Sequence, residues 1–70
     1  MKNYKSALND ISKAIELKPD YAYLYASRGS IYFKIEDYDN AIKDWKTAKK
    51  LNPQMSDDLD TSIRIAEEKK

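Results

Sequence analysis

Apolar residues fall along this chain at helical spacing in four separate stretches. In the first, Tyr4, Ala7, Leu8, Ile11, Ala14 and Ile15 recur at i, i+3, i+4 and i+7. This predicts a helix over 3–18, with Asn3 as N-cap and Lys18-Pro19 as its end, because the residue before a proline disfavours the α region. The second predicted helix runs from about Tyr21 to Lys34. Tyr25, Arg28, Gly29 and Tyr32 form one stripe on it and Leu24, Ile31 and Ile35 the next, an apolar arc wide enough for a helix held between two neighbours. The third runs from about Tyr38 to Leu51 behind the N-cap Asp37, with Tyr38, Ala41, Ile42, Trp45 and Ala48 on one face. The link from Ile35 to Asp37 is so short that the second and third helices must form an antiparallel hairpin.

The fourth helix is expected to start at Ser56 as N-cap. Asp57, Asp58 and Asp60 are placed in its first turn and Lys69 and Lys70 at its end, as the helix dipole favours. Its apolar residues make one thin stripe, Leu59, Ile63 and Ala66, with Ile65 on the flank. Such a helix covers the end of a stack. The expected organisation is all-α, a single domain over 1–70: a lone helix at 3–18, a hairpin at 21–52 and a capping helix at 56–69.

A phrase also repeats. Tyr4, Ala7, Asp10, Ala14, Leu17 and Pro19 return, each 34 positions on, as Tyr38, Ala41, Asp44, Ala48, Leu51 and Pro53. A fixed period of this size marks a helical repeat array. Composition agrees with that and removes several chemistries. One Gly and two Pro in 70 residues leave little for sheets rich in tight turns, and there is neither Cys nor His. Thiolate metal sites, disulfides and the commonest general base are therefore excluded, and neither a metal nor a cofactor is expected. Thirteen basic and 12 acidic residues give a net charge of +1, no electrostatic case for nucleic acid or an anionic membrane. Lys43, Lys46, Lys49 and Lys50 gather on the third helix, but Asp44 interrupts them. No apolar run approaches the ~18 residues of a membrane span. The N-terminal residues carry no apolar signal core, so a soluble cytoplasmic protein is the expectation.

The chain resembles a tetratricopeptide repeat protein. The family pattern W-x2-L-G-x2-Y, then A-x3-F, then P reads here as Tyr25-x2-Arg28-Gly29-x2-Tyr32, Ala41-x3-Trp45 and Pro53, with Ala48 at the further small position. The resemblance implies a stack of antiparallel helix pairs, an α-solenoid. Residues 4–20 then correspond to the second helix of a preceding repeat and 21–54 to one full repeat. The last helix lies where the next repeat would begin, but Ile63 stands where the pattern has Gly.

Two departures draw expectations. Arg28 takes the place of Leu on the packed stripe, where an unpaired charge is costly, and Asp10 and Asp44 occupy equivalent places on the flanking helices as candidate partners. On that footing Arg28→Leu should leave stability level or raised and Arg28→Ala should lower it. The first helix also has no hairpin partner. Its Leu8, Ile11 and Ile15 are expected to be partly uncovered, so the chain either belongs to a longer array or self-associates through them, as in a homodimer.

In this family the first helix of each hairpin lines a concave groove. The resemblance places Tyr23, Ala26, Ser30, Phe33 and Lys34 there, with Tyr23 and Phe33 as apolar contacts that the core does not need and Lys34 for an acidic group. The clamp by which some family members hold chaperone-tail carboxylates is not expected, since Ala26, Ser27 and Ser30 supply neither cation nor amide. The function expected is a non-catalytic interaction module or scaffold for a peptide or helix, with structural self-assembly as the alternative. An enzyme would have to rest on the carboxylates Asp57, Asp58, Asp60, Glu67 and Glu68, and no His, Cys or phosphate loop accompanies them.

Overall fold

The computed structural model describes residues 3–70, which form four helices: α1 (Tyr4–Leu17), α2 (Ala22–Lys34), α3 (Tyr38–Leu51) and α4 (Ser56–Lys69). A 3₁₀ turn, Pro53–Met55, leads into α4. The architecture is all-α, with no strand among the described residues, and none of their helices is long and apolar enough to cross a membrane.

Side chains chosen for their short polar arms fix the helix starts. The Asn3 side chain accepts the Ser6 N–H at 3.1 Å at the head of α1, and Asp37 does the same for Asn40 at the head of α3. Between α2 and α3 the chain closes α2 in a Schellman motif. Asp37 N–H donates to the Tyr32 carbonyl at 2.9 Å and Glu36 N–H to Phe33 at 3.0 Å, which swings Glu36 to φ 67°.

The start of α4 differs from expectation. Pro53 sets the φ of a 3₁₀ turn that runs straight into the helix, so Ser56 is already helical and Met55 stands at the cap without a side-chain bond. Asn52 takes the capping role three residues earlier, accepting the Gln54 N–H at 3.2 Å. Asp57 and Asp58 lie in the first turn of α4, whereas Asp60 lies beyond it and pairs with Lys49 on α3.

The core centres on α3. Ala41, Ile42, Trp45 and Ala48 are buried between Ala22 of α2 and Leu59, Ile63 and Ala66 of α4. The α2–α3 hairpin makes the closest packing, and Gly29 is why. A Cβ at that position would lie 2.6 Å from the Trp45 indole nitrogen and 3.1 Å from the Ala41 carbonyl oxygen. With hydrogen there instead, the indole lies across α2 and donates Nε1–H to the Ala26 carbonyl at 3.2 Å. The thin stripe of α4 is wholly used against α3, and Ile65 beside it stays 44% exposed.

Candidate interaction groove

Helix periodicity places Ser30, Phe33 and Lys34 on one side of α2 and Ser62 and Ile65 on one side of α4. These five residues and Trp45 line a cavity of about 340 Å³ between the two helices. Phe33 forms one wall. Its ring meets Tyr38 edge-on at 5.3 Å and Trp45 at 5.8 Å, so it is half-buried and belongs to the packed set as well as to the cavity. This corrects the expectation that the core has no need of Phe33. The indole of Trp45 reaches the cavity for the same reason that Gly29 is required, and Ile65 supplies the opposite apolar wall. Exposed Lys34, in the last turn of α2, sets a positive charge at the rim.

The other groove candidates fall elsewhere. Ala26 is half-buried, with its carbonyl engaged by the Trp45 indole. Tyr23 is 63% exposed near the opposite end of α2, its ring 6.3 Å from that of Tyr21. It lines a separate cavity of about 230 Å³ with Asp20, Leu51 and Met55. The sequence reading missed Ser62, Ile65 and Trp45. Ile65 carried a signal, since it is apolar and sits off the stripe that α4 needs for packing.

The charged departure resolves into a three-helix contact. Arg28 donates Nε–H to Asp44 Oδ2 at 2.8 Å and Nη2–H to Oδ1 at 2.9 Å, a fork on a carboxylate that is 5% exposed. Its Nη1 donates to Ser12 Oγ on α1 at 3.2 Å, and the guanidinium carbon lies 5.8 Å from the Tyr25 ring centre. The hydrogen bonds to Asp44 raise the arginine above its ordinary range. Asp10, the other candidate, is exposed and takes no part, because α1 turns Ser12 toward Arg28 instead.

Along α1, Leu8 and Ile11 are half-buried, but Ile15 is buried at 9% exposure, which removes it from any open surface. A shallow cavity of about 570 Å³ follows this helix past Lys5, Leu8, Asn9 and Ser12.

A 34-residue period, an antiparallel hairpin closed on a glycine, and further helices stacked on either side define an α-helical repeat protein. The tetratricopeptide repeat pattern matches residues 22–55, and the chain belongs to that family. It is similar to tetratricopeptide repeat protein 13 of Homo sapiens, 48% identical over 46 residues that are 66% of this chain and 5% of that protein. It also matches small glutamine-rich tetratricopeptide repeat-containing protein 2 of Saccharomyces cerevisiae, 35% identical over 52 residues, 74% of this chain and 15% of that protein. Hsp70-Hsp90 organizing protein 3 of Arabidopsis thaliana is 33% identical over 61 residues, 87% of this chain and 11% of that protein. The chain thus spans only a small part of the length of these relatives.

Proposed function

We propose that this chain is a non-catalytic protein–protein interaction module, and that the cavity between α2 and α4 receives an apolar side chain of a peptide or helix. The carrying observation is the pairing of a concave surface walled by Phe33, Trp45 and Ile65 with the exposed ammonium of Lys34 at its rim. About 340 Å³ accommodates one large aliphatic or aromatic residue, and a carboxylate beside that residue meets Lys34. The kinship supports the same reading: one relative's name describes it as organizing two other proteins.

A peptide-display selection against the folded chain tests this. Enriched peptides should share an apolar anchor with an acidic neighbour. They should lose binding to an Ile65→Glu variant, which puts a carboxylate into the cavity, and bind Lys34→Glu more weakly. Both side chains are exposed, so stability should stay within about 0.5 kcal/mol of wild type. Peptides that bind wild type and both variants alike would overturn the assignment of the groove.

A further inference from the structure

Among the described residues, Tyr21 and Tyr23 are the two aromatic side chains left exposed, at 53% and 63%. Their ring centres stand 6.3 Å apart with the planes at 42°, so a guest can sit within ~6 Å of both centres, the reach of a cation–π contact. Both rings line the cavity of about 230 Å³ where α2 begins and α3 ends, with Asp20, Leu51 and Met55 around them. The loop that carries them is pinned. The Tyr25 hydroxyl donates to the Pro19 carbonyl at 2.9 Å, and the Tyr21 N–H to the Lys18 carbonyl at 3.2 Å. A helix start and a helix end meet at this cavity, so their opposite partial charges offset each other. Asp20 then supplies the only formal charge of its lining, and it enters none of the ion pairs among the described residues. The cation that does lie over a ring, Arg28, is over Tyr25 instead.

We propose that this cavity takes the trimethylammonium end of a methylated lysine on a partner protein. Two π-systems and one carboxylate call for a cation, and the apolar Leu51 and Met55 call for one that has shed its water. An ordinary ammonium is a strongly hydrated point charge, and one carboxylate does not replace its shell. Methylation removes the N–H donors and gives the cation an apolar surface for Leu51 and Met55. The volume lies below the ~300–1,000 Å³ of a site for a larger ligand and suits a headgroup. A second, shallow cavity shares Asp20 and Tyr21 with the first and continues past Leu17, which is 83% exposed. It gives the methylene stem of a lysine an apolar path that a free quaternary ammonium would leave unused. Lys18 borders that path, where the guest is an uncharged stem. The site stands apart from the groove between α2 and α4 and does not depend on it.

The probe is an end-blocked tripeptide of trimethyllysine between two glycines, titrated into the isotope-labelled whole chain at constant ionic strength and followed by the backbone amide resonances. Saturable shifts are expected at residues 20–23 and 51–55. The carbon isostere, with a tert-butyl group in place of trimethylammonium, should bind about tenfold more weakly, the loss of two cation–π contacts at exposed sites. Unmodified lysine should also bind more weakly. Tyr21→Leu and Tyr23→Leu should each weaken the trimethyllysine peptide by about two- to fivefold, the worth of one such contact. Asp20→Asn, which keeps the shape of the loop, should weaken it by about two- to fivefold, as for an exposed charge pair. Ile65→Glu should leave it unchanged. Equal binding of the carbon isostere or of unmodified lysine would overturn the proposal, and so would the absence of saturable shifts or indifference to Asp20 and both tyrosines. Loss of binding in Ile65→Glu would put the peptide in the groove and overturn it too. Choline bound as tightly as the peptide would show that the stem adds nothing, which overturns the assignment to lysine.

Discussion

Arg28 and Asp44 form a two-pronged ion pair, 2.8 and 2.9 Å between the four atoms, on a carboxylate with a side-chain exposure of 6%. The burial of Asp44 changes what removing the arginine does. Arg28→Leu fills space with apolar atoms but leaves a buried carboxylate without its partner, so it should destabilise, as should Arg28→Ala. A loss of about 3 kcal/mol is expected for each, the lower end for a broken buried pair because Arg28 itself reaches solvent. The double variant Arg28→Leu/Asp44→Leu should regain wild-type stability or exceed it. Thermal unfolding followed by circular dichroism checks this, since about 1 kcal/mol moves the midpoint of a domain this small by about 4–8 °C. A single Leu variant as stable as wild type would show that Asp44 finds another partner.

The same pair predicts a pH response. Its hydrogen bonds to Asp44 raise Arg28 above the ordinary arginine value. A raised folded value means the contribution is complete below the unfolded value and fades only as pH rises through the folded one, which here lies beyond the usual alkaline range. Wild type should therefore keep this contribution as pH passes about 10.4, the ordinary lysine value. In Arg28→Lys one prong is lost at every pH, and above that unfolded value the contribution of the lysine charge to stability begins to fade as well. The stability gap between the two proteins should widen there, in urea titrations at neutral and alkaline pH. A constant gap would mean that only the shape of the arginine matters.

Gly29 is the tightest point of the hairpin. Alanine favours a helix interior over glycine by about 1 kcal/mol, so on propensity alone Gly29→Ala would stabilise. The added Cβ, however, would meet Trp45 Nε1 at 2.6 Å and Cδ1 at 2.7 Å. The indole would have to move, and its hydrogen bond to the Ala26 carbonyl would go with it. The expected net effect is a loss of about 1–3 kcal/mol. Combining it with Trp45→Leu, which removes the opposing atoms, should make the alanine neutral or favourable. The double-mutant cycle measures that coupling.

These relationships show where the sequence was legible. Periodicity fixes which residues share a face, so the stripes of α3 and α4 and the exposed flank of Ile65 could be read directly. It does not fix how a face is turned toward its neighbours. Asp10 and Asp44 are equivalent in the repeat, and only the packing of α2 against both helices decides that Arg28 takes Asp44 and gives its remaining nitrogen to Ser12. Phe33 looked dispensable for packing because it lies off the main stripe of α2, yet a ring of that size still reaches Trp45 and Tyr38 across the hairpin. The Ser62 and Ile65 wall was hidden because it depends on how α4 is rotated against α3, a three-body packing outcome. Ser56 read as a cap because its chemistry suits one, but the turn set by Pro53 had already started the helix.

Glu36 offers the last prediction. It stands in the left-handed region at φ 67°, where the Schellman closure of α2 requires it. A residue with a Cβ incurs about 1–2 kcal/mol there from the clash with its own backbone. Glycine removes that clash but gives back about 0.4–1 kcal/mol through the greater freedom of the unfolded chain. Glu36→Gly should therefore stabilise by a net of about 0.5–1 kcal/mol, the difference between those two figures. Glu36→Asn should also stabilise, since asparagine tolerates this conformation and stays stiffer when unfolded. Because Glu36 is exposed, no packing is disturbed by either change. Chemical denaturation of the three proteins checks the order. If Glu36→Ala gains as much as Glu36→Gly, the benefit lies in losing the charge beside Asp37 and the backbone argument fails.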